Sequence, residues 1–202
     1  MAPKISVLPG ERRRERVISP DEEARYLAAA SEPLSSIATV LSDTGTRPEE
    51  CFRLQWENAT GQNGRNGVLL VTHGKTGMER SVLPMTPRVR AILESQSTRP
   101  VGQRKDEYTR SDHVEPSSVR KQHLKAFKIM MENYPQKQVR QFVLYPLRHT
   151  SLIRLGQSGC DLRTLARIAG HSSITISARY LHPSEDAVTG RNAKVGWAQI
   201  WA

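Results

Sequence analysis

From Ser118 to Leu181 the chain carries its own punctuation for a run of short helices, and that punctuation constrains the fold more than any other feature. Leu124, Phe127 and Met131 recur at helical spacing after Ser118. Pro146 suits a first helical turn, where its missing N–H costs nothing, and opens a helix reaching Leu155. Asp161 opens and Gly170 closes a segment ending at Ala169. Ser172 or Ser173 then caps a last helix running to about Leu181, which leaves His171 in the turn between the two.

The first half adds more helix and little sheet. Ser19-Pro20-Asp21-Glu22 is a capping box opening a helix through about Ala30. Leu34, Ile37, Ala38 and Leu41 give a second, and a short third starts at Pro48. Val68–Thr72 and Arg80–Pro84 read as strands joined by the turn His73-Gly74-Lys75-Thr76-Gly77, a β-hairpin. Thr86-Pro87 opens another helix with Val89, Ile92 and Leu93 on one face, and 96–116 is a polar loop. The expected class is mainly α with a small antiparallel β-sheet, an α+β fold.

At 202 residues the chain can bury a sizeable core. Its ends do not read as core: residues 1–18 are basic and poor in large apolar side chains, a linker or arm containing Arg12, Arg13 and Arg14. The folded unit is expected over 19–183, followed by a tail, 184–202, with Val195, Trp197 and Trp201 as late apolar anchors. The formal net charge of +10 points to a polyanionic partner. Cys51 and Cys160 cannot build a disulfide scaffold or a zinc site, and are expected to be small reduced core residues. With no membrane-length apolar run and no signal peptide, the expectation is a cytoplasmic protein.

Three segments concentrate chemistry. In Thr44-Gly45-Thr46-Arg47-Pro48-Glu49-Glu50, the proline biases Arg47 to an extended conformation just outside a helix, while Glu49 and Glu50 suit the first turn. In Tyr145-Pro146-Leu147-Arg148-His149-Thr150, Arg148 lies near a helix N-terminus, and both attract phosphate oxygens. In Ala169-Gly170-His171-Ser172-Ser173-Ile174, followed by Arg179-Tyr180-Leu181-His182, a turn histidine precedes a tyrosine at a helix end. Each taken singly is as readily a salt-bridge, surface or packing residue.

Taken in order, they resemble the tyrosine recombinases of the phage-integrase family. An arginine, a lysine in a hairpin turn, Arg-His-Thr, Gly-His and a tyrosine nine residues after that histidine occur over about residues 12 to 190. The resemblance implies that family's DNA breaking-rejoining catalytic fold. It also implies site-specific recombination or integration through a covalent 3′-phosphotyrosine at Tyr180. Arg47 and Arg148 would clamp the negative phosphorane with bidentate guanidinium groups. A free phenol ionises near pH ~10, so neighbouring positive charge must help Tyr180. Lys75 matches the general acid for the leaving 5′-oxygen. His171 would hydrogen-bond the phosphate or assist proton transfer, and Glu50 would orient Arg47. Tyr145 stands where the family often has histidine; it can donate a hydrogen bond to phosphate but is a poor base.

The resemblance implies no metal or other cofactor, the arginines doing that charge work. The expected partner is double-stranded DNA, with Arg12–Arg14 along its backbone and the protein associated with the nucleoid. The chain then reads as a C-terminal half without its helical core-binding domain, four protomers of the complete protein assembling on two sites. Residues 184–202 either exchange between neighbours or pack on their own domain. A type IB topoisomerase or telomere resolvase shares the chemistry, and a DNA-binding regulator with a decayed site is the non-enzyme alternative. Geometry adds a constraint: in one straight helix, His171 and Tyr180 would lie roughly 13 Å apart at ~1.5 Å per residue, so the segment must bend for both to reach one phosphate.

Overall fold

In a computed structural model, which describes residues 16–54, 58–60, 66–71, 81–97 and 116–181, the elements follow the sequence punctuation closely. Helix α1 (Pro20–Ala29) starts at Ser19, whose Oγ accepts the Glu22 N–H at 3.2 Å. Helices α2 (Leu34–Thr44) and α3 (Pro48–Phe52) follow, then strands β1 (Ala59–Thr60), β2 (Val68–Val71) and β3 (Ser81–Pro84). The remainder is helical: α4 (Pro87–Ser97), α5 (Pro116–Asn133), α6 (Tyr145–Gln157), α7 (Leu162–Ala169) and α8 (Ile174–Ala178). The expected hairpin pairing is present, β2 against β3 with Leu69 opposite Leu83, and the two-residue β1 extends the sheet on the far side of β2. Leu69, Val71 and Leu83 face the core while Val82 faces out, the alternation a half-buried sheet requires.

Helix α2 is the axis of the domain. It packs against α1, α3, α4, α5 and α6, and is buried all round rather than along one stripe. Several of its polar residues are satisfied inside the protein: Thr39 and Thr44 hydroxyls donate back to the carbonyls of Ser35 and Val40, and Ser36 donates to Glu32, while the buried Ser42 hydroxyl has no hydrogen-bond partner among the described residues. The folded unit also begins before residue 19. Ile18 lies in the core, its N–H donates to Thr150 Oγ1 at 2.8 Å, and Arg16 lies over the Phe142 ring.

One sequence expectation is refined and one corrected. Leu124, Phe127 and Met131 lie on a helix as their spacing predicts, but of the three only Phe127 is buried: the inner face of α5 is Val119, His123, Ala126, Phe127 and Met130, and Leu124 and Met131 are about half exposed. The cause is His123. Its ring is hydrogen-bonded to the Tyr26 hydroxyl at 2.5 Å and to the Phe142 carbonyl, inside a cluster of Tyr26, Phe127 and Phe142 rings. A polar residue whose bonds are all satisfied indoors rotates the helix away from its most apolar stripe. Cys160, for its part, is only partly buried, at the edge of a second cluster made by Leu152, Leu155, Leu165 and Tyr180.

Helix α6 is fixed by charge as well as by packing. Buried Glu23 of α1 accepts from Arg154 of α6 and from Arg88 of α4, and Arg88 also pairs with buried Asp43 of α2. Arg154 further donates to the Ile18 carbonyl at 3.1 Å. Removing one partner of such a pair leaves a desolvated charge. Glu23→Gln is therefore expected to lower the unfolding free energy by about 3 kcal/mol in urea titration; a change near zero would show that the network does not hold α6.

Candidate active site

Arg47 is the N-cap of α3, extended as its following proline requires (φ −74°, ψ 147°), so its side chain leaves the helix end. Glu50 holds it twice: one carboxylate oxygen meets Arg47 Nη1 at 2.5 Å and the other accepts the Arg47 N–H at 2.9 Å. The other guanidinium nitrogen, Nη2, donates to the Gly170 carbonyl at 2.6 Å.

Arg148 stands in the first turn of α6 and is 1% exposed. Nη1 donates to the Gly45 carbonyl at 2.6 Å and Nη2 to the Ala169 carbonyl at 2.5 Å. Those carbonyls come from the ends of α2 and α7, where Gly45 (φ 67°) and Gly170 (φ 58°) take the left-handed conformation that terminates each helix. Among the described residues Arg148 forms no ion pair, and its buried Nε has no hydrogen-bond partner. Burial, and then the charge of Arg47, push its pKa down; Tyr145, Glu50 and Tyr180 push it the other way. A guanidinium stripped of water, beside a second cation and without an anion, is a place where an anion is stabilised.

His171 occupies the turn between α7 and α8, with Ser173 rather than Ser172 as the cap of α8. Its Nε2 lies 3.4 Å from Arg148 Nη2 and its Nδ1 2.8 Å from Ser177 Oγ. An arginine can only donate, so Nε2 carries the lone pair and Nδ1–H donates to Ser177. Burial first, then Arg148, Arg47 and Arg179, push the His171 pKa down to about 4. The imidazole is neutral at neutral pH.

The segment bends as the geometry demanded. Helix α8 spans only Ile174–Ala178, and the chain turns back so that the Tyr180 ring stacks on His171, centroids 5.9 Å apart and planes 16° apart. The same ring makes an edge contact with His149, centroids 5.0 Å apart. Tyr180 is 3% exposed. Arg47, Arg148, His171 and Tyr180 thus converge, with Glu50 behind Arg47. Tyr145, at the start of α6, is half exposed and joins through its electrostatic effect on Arg148. Lys75 and Arg12–Arg14 lie outside the described residues, as does the tail 184–202. His149 and Ser177 had no role assigned from sequence. Ser177 follows His171 by six residues, a spacing that matches no regular structure and becomes a contact only through the turn.

The whole site-bearing region, residues 16–186, matches the model of the phage integrase family. The chain belongs to the phage integrase family. It is 24% identical over 195 residues to the integrase of Salmonella phage P22, an alignment covering 93% of this chain and 49% of that protein, so the chain spans about half the length of that relative. Its fold is similar to the Tn1549 transposon integrase in complex with circular intermediate DNA (TM-score 0.68, 18% identity, 91% of this chain and 68% of that one). It is also similar to the catalytic domain of bacteriophage HP1 integrase (TM-score 0.60, 18% identity, 86% and 91%). Among the described residues no helix is long and apolar enough to cross a membrane, and no three His, Cys, Asp or Glu side chains gather as a metal site.

The depressed pKa of His171 sets a pH dependence. The unfolded chain binds a proton near the usual value of 6.5 and the folded site only near about 4. The contribution of His171 to stability is therefore complete above about pH 6.5 and is lost as pH falls toward about 4. Removing the Arg47 charge should move the His171 titration upward, read from its imidazole resonances by NMR in wild type and Arg47→Gln. An unmoved midpoint would show that the two do not share one field.

Proposed function

We propose that this phage integrase family chain cuts and rejoins double-stranded DNA through a covalent 3′-phosphotyrosine, as the catalytic part of a site-specific tyrosine recombinase. The observation that carries the reading is Arg148: buried, unpaired with any described carboxylate, its Nε uncommitted, and within reach of Arg47, His171 and, through His171, Tyr180. A scissile phosphate supplies the missing anion. Guanidinium N–H groups not committed to Glu50 and the carbonyls of Gly45, Ala169 and Gly170 then bind its nonbridging oxygens, and the positive site strengthens that hold as charge builds in the phosphorane.

In the proposed step the Tyr180 oxygen attacks phosphorus, the bond from phosphorus to the 5′-oxygen breaks, and the tyrosyl group ends on the 3′-phosphate. The phenolic proton passes to neutral His171, whose lone pair is on Nε2, and Lys75 protonates the leaving 5′-oxygen. Phosphate between the arginines offsets their charge and raises the His171 pKa, so the base strengthens when substrate is bound. Glu50 keeps Arg47 at its post, and Tyr145 adds a hydrogen bond from the rim. Rejoining is the reverse attack by a 5′-hydroxyl.

Membership of the phage integrase family favours this over a type IB topoisomerase or telomere resolvase, and retention of Arg47, Arg148, His171 and Tyr180 together favours an enzyme over a regulator. In the same reading Arg12–Arg14 follow the DNA backbone, four protomers of the complete protein act on two sites, and residues 184–202 either exchange between neighbours or pack on their own domain.

Tyr180→Phe should keep fold and noncovalent DNA binding while abolishing the gel-stable adduct on a nicked suicide substrate; an adduct formed by the Phe variant rules Tyr180 out. Arg148→Ala should slow adduct formation about 10²–10³-fold, with Arg148→Lys only partly restored because the planar fork is lost. Cleavage at the wild-type rate by Arg148→Ala would remove the clamp from the account.

A further inference from the structure

Helix α6 contains a glycine, Gly156, in its last turns. Glycine inside a helix weakens it relative to alanine, so its presence calls for a local reason. A Cβ built at this position would stand 2.3 Å from the carbonyl oxygen of Tyr180 and 3.1 Å from its carbonyl carbon, with Leu181 Cδ2 at 3.4 Å. The nearest two are backbone atoms, so no rotamer change clears them. Gly159 gives the contrast: a Cβ there meets nothing within 4 Å.

The same helix holds much of the remaining Tyr180 environment, beside His171 and the α7 residues Leu165 and Ala169. His149 meets the ring edge-on, Leu152 and Leu155 belong to the apolar cluster around it, and Arg148 lies eight residues before Gly156, roughly 12 Å along the axis. One rigid element therefore carries the phosphate-facing cation at one end and the resting place of the tyrosine backbone at the other.

We propose that Gly156 is a positioning residue for the nucleophile: its missing side chain lets the Tyr180 backbone lie directly against α6, which fixes the nucleophile relative to Arg148. The catalytic consequence rests on the reading of Tyr180 as the nucleophile; the positional one does not. Any side chain at 156 drives the Tyr180 carbonyl outward by the better part of an ångström, a displacement of the kind that costs about 10²-fold in rate when it misaligns reacting groups.

The test uses the full chain with Gly156→Ala and Gly159→Ala. Tyrosine exposure is read by tetranitromethane nitration mapped by mass spectrometry, and function by the initial rate of adduct formation on a nicked duplex. Gly156→Ala should cleave about 10²-fold more slowly, bind duplex DNA noncovalently as before, and show several-fold faster nitration of Tyr180 while core Tyr26 stays protected. Gly159→Ala, strained at φ +86° but touching nothing, should lose thermal stability yet keep wild-type Tyr180 nitration and cleavage. Wild-type cleavage by Gly156→Ala, slower cleavage without increased Tyr180 nitration, or nitration of Tyr26 alongside Tyr180 would each overturn the proposal. If Gly156→Ala does not fold, wild-type protein still decides: Tyr180 should react as slowly as Tyr26, and reaction at the rate of half-exposed Tyr145 overturns it. An adduct formed by Tyr180→Phe would instead unseat the nucleophile assignment, leaving the nitration result to judge Gly156 on its own.

Discussion

Arg148 carries a permanent positive charge into the interior of the protein, and the arrangement of the site follows from what is needed to keep it there. A buried cation is ordinarily matched by a carboxylate. Here the described partners are carbonyl oxygens from two helix ends, Gly45 O and Ala169 O, which orient the guanidinium without neutralising it. The ends of α2 and α7 must therefore meet the first turn of α6, and the loop that brings Ala169 also brings His171. Arg47, tethered by Glu50, adds a second positive charge and reaches the next carbonyl, Gly170 O. The result is a site of net positive charge with oriented donors, in which Glu50 pairs with Arg47 and no described carboxylate pairs with Arg148.

Burial first, and that field second, explain the state of the histidine. Partly desolvated and beside the arginines, His171 binds a proton only as pH falls to about 4, so it stands as a neutral acceptor with its tautomer set by Arg148 on one side and Ser177 on the other. An anion placed between the arginines would offset part of their charge and raise the His171 pKa, so in the proposed reading substrate binding and proton acceptance are coupled through electrostatics. Helix α6 supplies the rigidity, tied to α1 through Arg154 and Glu23 and wedged against α2.

Much of the fold was legible because it is written in local signals. Ser19-Pro20, Arg47-Pro48, Asp161 and Gly170 each fix a backbone conformation by their own chemistry, and the helix boundaries fall there. The site was legible for a different reason: Arg47, Arg148, His171 and Tyr180 recur in a known order, and the fold brings them together although they lie as much as 133 residues apart. What sequence did not reveal depends on contacts between distant segments. His123 carried no signal of its own because its two partners, Tyr26 and Phe142, come from other elements. Ser177 and His149 acquire their contacts only when α8 folds back, and the role of Gly156 depends on the Tyr180 carbonyl, which only the fold brings against it.

The central claim is that one phosphate is held by Arg47 and Arg148 while the Tyr180 oxygen attacks it. The most direct measurement is to trap wild-type protein on a nicked duplex labelled in the scissile strand, digest the complex, and identify the modified peptide by mass spectrometry. The account predicts one adduct, a nucleotide joined through its 3′-phosphate to the oxygen of Tyr180. Attachment to Tyr145 or any other residue, linkage through a 5′-phosphate, or no covalent product from a bound nicked duplex would contradict it.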